Sequence, residues 1–114
     1  MDTVSAALIA ANAIDATLGV ARVGELSVRD NYITLKSLLE EKYGEESDLM
    51  EALERLELKS DSTERRSALQ QAVEANEADQ DSAVQEAADE LLREVLNQPG
   101  GPQVIQELTG NYYV

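Results

Sequence analysis

The run Val4-Ser-Ala-Ala-Leu-Ile-Ala-Ala-Asn-Ala-Ile14 decides the fold. Wound as a helix, it is apolar or small on every side, and a helix without a polar face has to be hidden from water. Between Thr3 and Ala21 only Asp15 is ionised. The hiding place is a protein core, a partner or a bilayer, and the choice among the three is the functional question. Thr3 or Asp2 caps this helix, which runs through Leu18 or across Gly19 to Val23, with Gly19 and Gly24 as candidate stops.

The rest of the chain supplies walls for such a core. Ser27 opens a second helix with the stripe Val28, Tyr32, Leu35, Leu39 and Tyr43, widened by Ile33 and Leu38 and closed by Gly44. Ser47 or Asp48 starts a third, with Leu49, Leu53 and Leu56 inside. In Lys59-Ser-Asp-Ser-Thr-Glu64 the residues Ser60, Asp61 and Ser62 compete to cap a fourth, whose inner residues are Ala68, Leu69, Ala72 and Val73. Asp79 or Asp81 caps the fifth, where Val84, Ala87, Ala88, Leu91, Leu92, Val95 and Leu96 make the cleanest amphipathic stripe. The strong stripes of the second and fifth helices mark them as the central pair.

Gln98-Pro-Gly-Gly-Pro102 interrupts the helical pattern, and Val104, Ile105 and Leu108 beyond it suffice for one or two turns. This reads as a boundary: residues 1–97 form a single all-α bundle of four to five helices, and 98–114 a Pro/Gly linker and the start of a flexible tail. The β-prone end Gly110-Asn-Tyr-Tyr-Val114 reads as the beginning of a further segment.

Composition removes whole classes of function. In 114 residues the aromatic fraction is 4% with no Trp or Phe, so the core is built from Leu, Ile, Val and Ala. A net charge of -14 opposes binding to phosphate backbones, and nucleic acid is excluded as a partner. Without His or Cys the chain lacks the usual acid-base catalyst, the thiolate nucleophile and the common transition-metal ligands, so neither an enzyme nor a cofactor or metal site is expected. Met1 is followed by Asp2 and the first cation is Arg22, which lacks the form of a secretory leader and points to retention in the cell.

Three clusters have plainer readings. Asp79-x-Asp81 resembles the opening of a calcium loop, and Glu90 falls at its twelfth position, but Val84 stands where the sixth position requires Gly. Helix capping explains the pair. Glu40-Glu41 and Glu45-Glu46 flank a helix end without a companion nucleophile, as a solvated acidic surface does. Arg65-Arg66 is expected in ion pairs within the domain.

For the first helix, twenty residues from Val4 to Val23 span about 30 Å, the hydrocarbon thickness of a bilayer. Asn12, Asp15 and Arg22 each cost energy at membrane depth, and Ala contributes little, so a lone permanent anchor is disfavoured. Small residues at Ala6 and Ala10, and at Ala7 and Ala11, permit close helix approach in water or lipid alike.

The segments Met1-Asp-Thr-Val-Ser-Ala-Ala7, Tyr32-Ile-Thr-Leu-Lys-Ser-Leu-Leu39 with Lys42-Tyr-Gly44, Asp61-Ser-Thr-Glu-Arg65 and Glu74-Ala-Asn-Glu-Ala-Asp-Gln-Asp81 resemble the Bell domains of multicellular bacteria. These are small helical domains placed before amyloid-signalling motifs, some similar to the RIP homotypic interaction motif. They are regarded as analogues of the fungal HeLo and HELL domains and of the four-helix killer domain of mixed-lineage kinase-like protein. The resemblance covers roughly residues 1–96 as a diffuse pattern. It implies an executioner of regulated cell death, cytoplasmic at rest, which self-associates when the amyloid motif of an NLR-type receptor templates its clustering and then attacks lipids of the cell membrane. By position, the membrane-active helix maps onto Val4, Ala7, Leu8, Ile9, Ala11, Ile14 and Leu18. The expected core is Tyr32, Leu35, Leu39, Leu53, Leu56, Leu69, Val84, Leu91, Leu92 and Val95. No complete amyloid motif follows Gly110 in this sequence, which puts the trigger in a continuation of the chain or elsewhere. The competing reading is a death-fold-like or effector-associated adaptor that binds partners through the acidic faces of helices three to five.

Overall fold

The computed structural model describes residues 1–18 and 23–109. Among them six α-helices follow one another: α1 Thr3–Leu18, α2 Val23–Tyr43, α3 Asp48–Leu58, α4 Thr63–Ala75, α5 Ser82–Leu96 and α6 Gly101–Thr109, with a 3-10 turn at Ala78–Gln80. No strand occurs among the described residues. The radius of gyration of 12.8 Å is that of one domain of about 100 residues.

The helix starts are set by side-chain caps. Asp2 caps α1: its carboxylate accepts from the Ser5 amide and the Ser5 hydroxyl, both at 2.8 Å, which also satisfies this buried serine. Ser47 accepts from the Met50 amide at 3.2 Å and Ser62 from the Arg65 amide at 3.2 Å. Asp81 accepts from the Val84 amide at 3.1 Å, so of the competing candidates Ser62 and Asp81 hold the caps. Helix α2 begins at Val23, four residues before the expected Ser27.

The centre belongs to α1. It packs against α5 most extensively, and also against α6, α2, α3 and α4. The expected central pair, α2 and α5, do pack together, but as part of the wall around α1. The physical reason lies in the patterns: an amphipathic helix has a face to leave in water, whereas α1 has none, so its neighbours enclose it. Val28, Leu35, Leu39, Leu49, Met50, Leu53, Leu56, Leu69, Val73, Val84, Ala88, Leu91 and Val95 complete the core. Of the expected core, Tyr32 and Leu92 are half-buried and pack against it. Ile33 is 53% exposed and Ala68 is also exposed, so the inner faces of α2 and α4 are narrower than expected.

Helical packing extends past the expected boundary at residue 98. Gly100 takes a left-handed φ of +82°, and a Cβ on Gly101 would stand 1.9 Å from the Val95 carbonyl oxygen. The pair therefore folds the chain sharply back, and α6 seats Ile105 in the core at 1% exposure against α1 and α5. Pro102 is accommodated in the first turn of α6, where its missing amide costs nothing. What the composition marks as a linker is a tight corner followed by a sixth helix, and the tail 110–114 lies outside the described residues.

Candidate functional site: the enclosed first helix

From Val4 to Ala11 every residue of α1 is buried, and Ile14 is buried one turn later. Val4, Ala7, Leu8, Ile9, Ala11 and Ile14, the expected membrane-active residues, all lie in the core. Leu18 ends α1, and its side chain is outside the described residues, as is that of Asp15. The alanines at 6, 7, 10 and 11 keep the helix slender enough to be approached from all sides. Burial of Val4, Leu8, Ile9 and Ile14 stabilises the docked helix by roughly 6–12 kcal/mol, at about 1.5–3 kcal/mol for each large apolar side chain. That is an upper figure, because the unfolded chain already hides part of this surface.

Asn12 interrupts the apolar surface, and its bonds lead into a relay that ties three helices together. Asn12 Nδ2 donates to the Leu8 carbonyl at 2.8 Å and to the Tyr32 hydroxyl of α2 at 3.2 Å. The Tyr32 hydroxyl in turn donates to Glu57 of α3. Lys36 Nζ donates to both oxygens of Glu57, at 3.0 and 2.9 Å. A half-buried amide left without partners is costly, and the relay removes that cost while fixing the register of α1 against α2. Only Tyr32 of this group is in the expected core set. Asn12 carries a signal in its position, since a side-chain amide within an apolar run needs a partner, but the identity of that partner is not written nearby.

The remaining clusters are structural. Asp81 caps α5 and receives Lys42 Nζ at 3.0 Å, joining the end of α2 to the start of α5. Its carboxyl is held below the ordinary aspartate range, first by the Val84 amide and then by Lys42. Arg65 Nη1 donates to the Arg55 carbonyl and Arg66 Nε to the Ser60 carbonyl, both at 2.8 Å. The double cation thus closes the α3–α4 turn through carbonyl oxygens where carboxylates had been expected. Glu40, Glu41, Glu45 and Glu46 are exposed.

The fold and its site define a class: a small all-α bundle built around a concealed apolar helix. The chain belongs to the Het-E N-terminal domain family, whose family model matches residues 1–113, a cell-death domain family related to HeLo. Neither a curated protein nor a solved structure gives a significant match.

Proposed function

We propose that this domain is a membrane-disrupting, pore-forming effector of regulated cell death, of the Bell type among HeLo-related domains, with α1 as its membrane-active element. The observation that carries the reading is that the most apolar helix of the chain is enclosed by five others, so its surface is available only after a change of state. Clustering by an amyloid-templated signal from an NLR-type receptor supplies that change. The domain rests in the cytoplasm, self-associates and moves to the lipids of the cell membrane. We assign it no catalytic role.

Geometry favours assembly over a lone span. The 16 residues of α1 measure about 24 Å, less than the roughly 30 Å hydrocarbon core. Among the described residues no helix is long and apolar enough to cross a membrane. Burial in lipid returns about 25 cal/mol per Å², and a single Ala-rich helix gains too little to stay inserted, so several copies must act together through their small-residue faces.

A reversible tether tests this. The chain has no Cys, so Thr3→Cys and Gln85→Cys, which line one crevice between α1 and α5, can be joined by a short reducible cross-linker. Oligomerised through a fused dimeriser, the tethered protein should leave liposomes intact and leak them once reductant is added. Equal leakage before and after reduction would remove α1 from the mechanism.

One feature favours the adaptor reading: an open groove between α3 and α4, with Ala52 and Ala72 along it, Asp48, Glu51 and Glu64 on its walls, and Leu58 82% exposed. That reading gains if oligomerised wild type leaves both cells and liposomes intact.

A further inference from the structure

The apolar surface of α1 is out of reach while the bundle is closed, but the relay that fastens its flank is not. Asn12 is half-buried, Tyr32 bridges inward and outward, and at the outer end the Lys36 and Glu57 side chains keep 29% and 27% of their exposure. We propose that Asn12, Tyr32, Glu57 and Lys36 form a latch that holds α1 in the resting bundle, and that loss of the Glu57 carboxylate as acceptor opens it. This rests on the membrane reading above and adds its control point.

The chemistry runs in one direction, from surface to core. Glu57 accepts from both Tyr32 and Lys36, so drawing its carboxylate outward takes the acceptor away from the Tyr32 hydroxyl. When Tyr32 turns to follow, the Asn12 amide keeps the Leu8 carbonyl and loses its bond to α2. Apolar packing is non-directional and offers nothing for a signal to grip, whereas a charge-assisted hydrogen bond at the protein rim can be competed for.

Amide exchange on the whole chain tests the latch. Tyr32→Phe keeps the ring and removes the hydroxyl, and Asn12→Ala removes the other end. Each breaks the hydrogen bond between Asn12 and Tyr32 that links α1 to α2 and should speed exchange across residues 4–14 by roughly tenfold, while leaving α4 near its wild-type rate. The double variant should be no faster than either single one, since both break one connection. Glu57→Gln retains an acceptor for Tyr32 and should have a smaller effect than Tyr32→Phe. Unchanged exchange in α1, an equal acceleration of all helices, or additive effects of the two substitutions would overturn the proposal; if Tyr32→Phe does not fold, Asn12→Ala decides it.

A second arm separates the latch from the reading beneath it. Oligomerised Tyr32→Phe should leak liposomes at a lower protein concentration than wild type. If wild type leaks and the variant needs the same concentration, the latch is refuted. If exchange responds as expected and neither protein leaks, the latch stands and the membrane reading falls.

Discussion

Gly101 lies so close to Val95 that a Cβ at 101 would meet the Val95 carbonyl oxygen at 1.9 Å, well inside any contact distance. The partner is backbone at the end of α5, so it cannot swing aside as a flexible side chain would. Gly101→Ala should therefore destabilise the domain by about 1–3 kcal/mol through forced backbone movement. A loss of amide protection in α6 that exceeds the loss in α3 would locate the damage at the corner.

Leu91 sits fully buried on α5, in the wall that faces α1 and α2. Truncation to Ala should cost about 2–5 kcal/mol in a denaturant titration. A change below about 0.5 kcal/mol would be inconsistent with a packed core at this position.

Glu77 adopts a left-handed φ of 54° immediately after the Asn76 cap that ends α4. This conformation favours Gly, because a Cβ there crowds the backbone. Glu77→Gly should raise stability by about 0.5–1 kcal/mol, the relief of strain outweighing the added freedom of the unfolded chain. A fall in the thermal midpoint would show that the Glu77 side chain contributes more than its backbone costs.

Asp81 titrates below the ordinary aspartate range because the ionised carboxylate accepts from the Val84 amide and pairs with Lys42. A lowered folded value means that this stabilisation is present above about pH 4 and is lost as pH falls through the folded value. The stability gap between wild type and Asp81→Asn should therefore be widest near neutrality and close as acid is added. A gap that stays constant down to about pH 2 would exclude the carboxylate as its source.

Ile9→Asp, which probes insertion if α1 is free, acts first on the resting bundle. Ile9 is fully buried, and an unpaired carboxylate there should cost several kcal/mol or stay protonated. Circular dichroism melts should show the loss before any membrane assay is run, which is why a cross-link and not a charge is the better test of α1.

Much of the fold is legible in local pattern. The spacing of Leu49, Leu53 and Leu56, or of Val84, Leu91 and Val95, places those residues inside because a 3.6-residue period leaves them on one face. The caps Ser62 and Asp81 fall within the few candidates their segments offer, since capping is chemistry over three residues. Val104, Ile105 and Leu108 announce a turn or two of helix after residue 102, but its docking in the core is not legible, because Pro and Gly at 99–102 mark a break in local conformation and carry no information on what packs beyond it.

The candidate site divides along the same line. That α1 must be concealed follows from its residues alone: no polar face exists to meet water. Which helices conceal it, and that Asn12 reaches Tyr32 and through it Glu57, depends on residues 20 and 25 positions apart meeting in space. Composition and period report what each helix needs from its surroundings. Only the tertiary structure decides who supplies it, because packing among six helices satisfies all those needs at once and no single helix records the outcome.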